Sequence, residues 1–242
     1  MVLEVDNITK LYKKNRGAMN VSFSIGEGEV FGLLGPNGSG KTTVMKIVTG
    51  LLRAKEGRVK IFGYDIVDDT QRALADVGGL IEAPASIGFL SAYENLKIVS
   101  NFYPDCMGID ELLDMVGLLK VKNDKVSKFS LGMKQRMGIA LAVINKPKLL
   151  VLDEPTNGLD IEGTVDIRNM ISNLAKEQKT TVLISSHLAA ELQQMCSKVG
   201  VMQDGRLLET EVMDFVLENY PSLEDYFLHT VRKSREGLGY AN

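Results

Sequence analysis

One stretch limits what this chain can fold into: Gly35-Pro36-Asn37-Gly38-Ser39-Gly40-Lys41-Thr42-Thr43. It fits G-x-x-x-x-G-K-[ST], the phosphate-binding P-loop pattern. The apolar run Val30–Leu34 before it reads as a short buried strand. Residues Val44 to Leu52 after it read as a helix, with Val44, Ile47, Val48 and Leu51 on one face. Glycine lets such a loop curl so that successive N–H groups point inward. The helix that follows adds its positive N-terminal end. In this pattern Lys41 reaches the β- and γ-phosphates and the Thr42 hydroxyl ligates Mg²⁺. A Gly-rich surface turn is the plain alternative, and the strand–loop–helix context argues against it.

The 242 residues can bury a sizeable core, and 45% hydrophobic with 24% charged residues is ordinary for a globular protein. A net charge of −3 argues against a nucleic-acid binder, which usually carries a basic patch. The basic cluster Lys10, Lys13, Lys14 and Arg16 reads as a solvated hairpin end. Cys106 and Cys196 form no C-x-x-C pair and read as reduced thiols of a cytosolic chain. His187 and His229 have no Cys or His near them in sequence, so no structural zinc site is expected. No apolar run is long enough for a transmembrane helix. The start, Met1 to Asp6, alternates like a strand and has no signal-peptide layout.

Leu3–Ile8, Val21–Ile25 and Arg58–Gly63 read as strands of an antiparallel layer. Val77–Pro84 reads as a strand end running into a Gly/Pro-containing loop. Ser91 and Glu94 have capping-box spacing for a helix to about Phe102. Ile109–Leu119 and Leu131–Asn145 are expected as further helices, so residues 85–146 form a helical insert without a strand. Leu149–Leu152 and Thr181–Ile184 are continuous apolar runs, hence buried strands. Helices are expected at Val165–Lys176, Leu188–Met195, Glu211–Glu218 and Leu223–Arg232. A hairpin turns over Asp204-Gly205, and residues 234–242 are expected to be disordered. Strands alternating with helices indicate a parallel α/β sheet, whose ligands bind at the carboxyl ends of the strands. Four strand ends carry polar groups: the P-loop, Asp153-Glu154, Ser185-Ser186-His187 and the Glu82 region.

Asp153 suits the Mg²⁺ shell, and Glu154, one residue on, can polarise the water that attacks a γ-phosphate. The alternative is an exposed acidic turn before Pro155. A neutral His187 could bond the γ-phosphate or orient that water; a packed or surface histidine is the alternative. Ser130 suits the N-cap of the Leu131–Asn145 helix. That end is either only a cap or a second anion site.

With these residues in view, the chain resembles the nucleotide-binding subunit of an ATP-binding-cassette (ABC) transporter, from about residue 2 to 230. The resemblance rests on the P-loop, Ser130-Leu131-Gly132-Met133-Lys134-Gln135-Arg136 as the signature and Leu149–Glu154 as the Walker B strand. It includes Pro155-Thr156-Asn157-Gly158-Leu159-Asp160 as the D-loop and His187 as the switch histidine. It implies a P-loop NTPase (RecA-like) parallel sheet core with an antiparallel β layer and an inserted α-helical subdomain. Residues 1–84 with 147–210 would be the ATP-binding core, 85–146 the signature subdomain and 211–242 C-terminal helices and tail. It implies head-to-tail dimers around two ATP. Ser130 and Gly132 would contact the partner's γ-phosphate, and Asp160 would cross near the partner's P-loop. Tyr12 lies where the family stacks an aromatic on adenine; local packing is its alternative.

Two departures stand out. The common Ser-Gly-Gly is Ser130-Leu131-Gly132 here, and Glu82 stands where most of the family has Gln. Both, with Leu80–Pro84 and Ser222–Leu228, resemble the branch exporting bacitracin- and lantibiotic-type peptides and drugs. Glu82 would then reach Mg²⁺ and the attacking water; facing solvent is its alternative. The resemblance implies an ATPase using ATP and Mg²⁺, held at the inner face of the cell membrane by a separate permease chain. It implies a second ATP-binding subunit, a homodimer in the complex, and no nucleic acid. A non-transport ABC ATPase acting on ribosome or DNA is the rival reading.

Overall fold

The computed structural model describes residues 1–13 and 16–237. Strands β1 (Leu3–Leu11) and β2 (Gly17–Ile25) pair antiparallel, with Leu3 opposite Ile25 and Val5 opposite Phe23. Alternation along them turns Leu3, Val5, Val21 and Ile25 into the core, and a register shift after Val5 brings Ile8 in as well. Strand β3 (Val30–Leu34), buried at every position, runs through the P-loop into α1 (Lys41–Val48). Strand β4 (Glu56–Ile61) pairs with β1, and the short β5 (Tyr64–Asp65) pairs with β4. The result is a four-stranded sheet in the order β2-β1-β4-β5. Helix α2 (Thr70–Leu74), capped by the Asp69 side chain, leads to β6 (Val77–Leu80).

The helical stretch opens with α3 (Ala92–Ser100). Ser91 Oγ accepts from Glu94 N–H at 3.1 Å, and the Glu94 carboxylate accepts from Ser91 N–H at 2.7 Å, so the capping box forms. Helix α4 (Ile109–Met115) and two 3₁₀ turns precede α5 (Leu131–Val143). Strand β7 (Leu149–Asp153), α6 (Ile161–Gln178), β8 (Thr181–Ser186) and α7 (Ala189–Met195) follow. The chain closes with β9 (Lys198–Gln203), β10 (Arg206–Val212), α8 (Met213–Asn219) and α9 (Leu223–Gly237).

The main sheet has six strands, in the order β10-β9-β3-β8-β7-β6. All neighbours are parallel except β10 against β9. Its inner strands β3, β7 and β8 carry continuous apolar runs because both of their faces are covered. Phe31, Leu33, Leu149, Val151 and Leu183 pack toward α1 and the antiparallel sheet. Val30, Leu34, Leu150, Leu152, Val182 and Ile184 pack on the other face, in one core with Leu96, Leu112, Leu118 and Phe129 of the helical stretch. Helix α5 lies directly on β6: a Cβ on Gly78 would meet Ala142 O at 1.9 Å. The carboxyl ends of β3, β8, β7 and β6 therefore emerge side by side along one edge.

Several boundaries differ from the sequence expectation. Helix α1 begins at Lys41 and stops at Val48, because Gly50 at φ +71° takes the left-handed position just past the cap. Leu51, expected on the buried face, is 67% exposed. Gly117 at φ +69° ends α4 early in the same way, at Met115 rather than Leu119. Helix α6 starts at Ile161 rather than Val165, because Asp160 Oδ1 accepts from Gly163 N–H at 2.8 Å and caps it. Glu211 belongs to β10 and not to a helix. Residues 234–237 continue α9 instead of being disordered. The rest of the expected tail, and Lys14 of the basic cluster, lie outside the described residues.

Candidate nucleotide site

The P-loop wraps the start of α1. Gly40 takes φ +103°, and a Cβ there would lie 2.3 Å from Gly17 O, so only glycine fits. No side chain caps α1. Val44 N–H is the first to find an acceptor in the chain's own turn, Gly40 O at 3.1 Å. The first-turn N–H groups thus remain for an anion outside the helix. Among the described residues, Ser39 Oγ is the one buried side-chain oxygen without a partner. A loop with free N–H donors, an ammonium and no acidic residue in the first turn fits a phosphate chain.

Lys41, 4% exposed, donates to Gly35 O at 2.7 Å and Pro36 O at 3.2 Å, and sits 3.2 Å from Glu154 Oε1. The other Glu154 oxygen meets His187 Nδ1 at 2.5 Å. Ser185 Oγ, at the end of β8, donates to Asp153 Oδ1 at 2.7 Å and accepts from Glu154 N–H at 3.0 Å. Gln135 of α5 donates to Glu154 O at 3.4 Å. Lys41, Asp153, Glu154 and His187 therefore form one connected cluster. Glu154 carries φ +49°, a left-handed backbone rare for a non-glycine residue. Asp153 and the Thr42 hydroxyl are hard oxygen donors, and Mg²⁺ binds through one or two carboxylates plus substrate phosphates rather than a full protein cage. The donor set fits that ion without the three acidic or imidazole ligands of a closed site, a grouping absent among the described residues.

Glu82 sits differently. Its carboxylate pairs with Lys46 of α1 at 2.8 Å, its side chain is 61% exposed, and its backbone is at φ +61°. The bond to Glu82 is the main cause that raises the Lys46 pKa. Tyr12, 48% exposed, lines a cleft of about 280 Å³ with Arg16, Asn37, Gly38, Gly40, Lys41, Thr42 and Thr43. Clefts of about 470 and 450 Å³ lie against α6 and beside β4, but they hold none of the strand-end residues.

Ser130, Gly132 and Asp160 are not part of the P-loop cleft. They line a separate hollow with Leu131, Gly158 and Leu159. Ser130 Oγ accepts from Met133 N–H at 3.2 Å and caps α5. Sequence reasoning missed Lys46, Gln135 and the Ser185 bridge. Ser185 had a visible signal, a polar residue closing an apolar strand, and Gln135 stood within the signature without an assigned role; Lys46 had none.

Residues 18–157 match the family model described as ABC transporter. The chain belongs to the ABC transporter family. It is an ATP-binding subunit of that family, with ATPase activity coupled to transport. It is 39% identical over 212 residues to the bacitracin transport ATP-binding protein BcrA of Bacillus licheniformis, covering 86% of this chain and 69% of that protein. It is 40% identical over 212 residues to the lantibiotic transport ATP-binding protein SrtF of Streptococcus pyogenes, covering 86% of this chain and 89% of that one. Among solved structures it is similar to a dimeric ATP-binding cassette in a post-hydrolysis state bound to ADP and Pi. That match has a TM-score of 0.78 and 27% identity, over 87% of this chain and 98% of the other. The P-loop NTPase core of the subunit is thus as expected from the sequence. Among the described residues, no helix is long and apolar enough to cross a membrane.

Proposed function

We propose that this ABC subunit powers export of an antimicrobial peptide or drug through a separate permease chain at the inner face of the cell membrane. The relatives that move bacitracin and lantibiotics support the substrate class. In this reading the working unit is a homodimer closed head to tail on two ATP. Residues 1–84 with 147–210 act as the ATP-binding core, 85–146 as the signature subdomain and 211–242 as a C-terminal addition. Gly35 to Thr43 cradle the phosphates, Lys41 neutralises them and Tyr12 stacks on adenine. Thr42 and Asp153 would hold Mg²⁺, and Glu82 would join them on leaving Lys46; bound there, the ion would supply positive charge to the phosphates. Glu154 is the general base, and His187 orients it and the γ-phosphate. Ser130, Gly132 and Asp160 serve the partner's ATP.

One observation carries the reading: Glu154 touches both Lys41 and His187, which supports their proposed roles as base, phosphate-binding cation and orienting imidazole of one cluster. The test is Glu154→Gln in the purified subunit. ATP binding is retained, and turnover falls by about 10²–10⁴-fold, the usual worth of a general base. ATP then accumulates a stable dimer by size exclusion. Unchanged turnover removes Glu154 from the chemistry.

A further inference from the structure

Glu191 lies in the first turn of α7 and is not among the residues lining the P-loop cleft, and the roles above do not use it. One of its oxygens, Oε2, accepts two hydrogen bonds. Thr156 Oγ1 donates to it at 2.5 Å and Ser186 Oγ donates at 3.3 Å. Both donors are buried, at 6% and 2% exposure. Ser186 Oγ in turn accepts from Leu188 N–H at 3.0 Å, which closes the turn that holds His187. Thr156 is two residues past Glu154 and heads the turn to Asp160, with its carbonyl accepting from Leu159 N–H at 3.2 Å. A single carboxylate oxygen thus ties the segment that carries Glu154 to the segment that carries His187. Those two segments meet again at the Glu154–His187 contact.

We propose that Glu191 is a positioning residue that fixes the Glu154 segment against the His187 segment, and that it does so as a hydrogen-bond acceptor and not through its charge. The inference rests on the proposed roles of Glu154 and His187. Without the bridge, Thr156 and Ser186 lose their shared acceptor and the two segments can slide apart. A shift of about 1 Å between catalytic groups can cost about 10²-fold in rate with little change in binding. The simpler alternative is that Glu191 only places a negative charge at the positive end of α7.

The two differ in what glutamine does. Glu191→Gln keeps the carbonyl oxygen that can accept both bonds but removes the charge. The experiment measures steady-state ATPase, ATP affinity and thermal melting for the wild-type chain, Glu191→Gln, Glu191→Ala, Thr156→Val and the Thr156→Val/Glu191→Ala double variant. Glu191→Gln should stay within about threefold of wild type. Glu191→Ala and Thr156→Val should lose about 10- to 100-fold in kcat while KM and ATP affinity change little, the signature of a lost transition-state alignment. The double variant should be no worse than Glu191→Ala, because both remove one shared contact. Glu191→Gln as poor as Glu191→Ala overturns the acceptor role in favour of charge. Additive losses, or equal kcat in all variants, overturn the bridge. Thr156→Val keeps the side-chain shape, so it decides the matter if Glu191→Ala does not fold. Glu154→Gln runs alongside: full turnover in that control sinks the underlying reading instead.

Discussion

At the residue scale, two glutamates at neighbouring strand ends share one device. Glu154 and Glu82 both adopt a left-handed backbone, and each carboxylate meets a lysine of α1, Lys41 and Lys46 respectively. Such a backbone costs about 1–3 kcal/mol in a non-glycine residue and persists where the surroundings over-determine it, often at functional sites. The two pairs are not equal. Lys41 is buried, whereas Glu82 is largely exposed and its pair is worth at most about 1 kcal/mol. Glu82 can therefore leave Lys46 at little cost when a stronger cation arrives. Glu82→Gln should keep ATPase activity within about tenfold, because Glu154 remains the base. Glu82→Ala should raise the Mg²⁺ concentration needed for half-maximal activity and impair permease-coupled transport more than basal hydrolysis. A Mg²⁺ titration of both variants checks this; an unchanged curve for Glu82→Ala would mean the residue stays with Lys46 throughout. Gly40→Ala should abolish nucleotide binding, since its Cβ would press on Gly17 O, and equilibrium dialysis with ATP reads that directly.

At the element scale, α9 is fastened to β10 by Glu209. Its carboxylate accepts from Lys233 at 2.6 Å and, more distantly, from Thr230 and Tyr226. The Lys233 bond is the main reason the Glu209 pKa lies below the ordinary carboxylate range. Burial pushes the Tyr226 phenol up to about 12. A depressed carboxylate contributes stability above its unfolded pKa and loses it as pH falls through the folded one. Protection of α9 amides from hydrogen exchange should therefore be constant near neutrality and weaken in acid, below the usual glutamate range. Glu209→Gln should remove that acid dependence and cost little at pH 7, because the Lys233 end of the pair is exposed.

The elements themselves were largely legible. The strands β3, β7 and β8 announce themselves as continuous apolar runs because they are buried on both faces, and Ser91 with Glu94 marks the start of α3. Helix ends were less so. Gly50 and Gly117 stop their helices from within an apolar pattern that periodicity alone carries further. Site residues that work through motifs, such as Lys41 and Asp153, were visible. Glu191 and Lys46 were not, since each is one more charge on a helix until the fold sets a loop against it.

At the scale of the whole molecule, the residues expected around one ATP fall into two places. Lys41, Thr42 and Tyr12 share one cleft, and Ser130, Gly132 and Asp160 share another. Neither cleft contains all of these residues. The family resemblance implied this division, while sequence order alone only groups the motifs; the separation itself depends on where α5 and the turn before α6 lie. In the proposed working unit a complete site takes one cleft from each of two copies. The direct measurement is ATPase activity of mixed inactive variants. Ser130→Arg blocks the second cleft and Lys41→Ala disables the first. A mixed dimer of the two would hold one intact composite site and one doubly damaged one. Mixing the two inactive chains should restore turnover to about a quarter of wild type in a random equimolar mixture, half of the dimers carrying one good site of two. Activity no greater than the sum of the separate variants, with mixed dimers shown to form, would contradict the composite site.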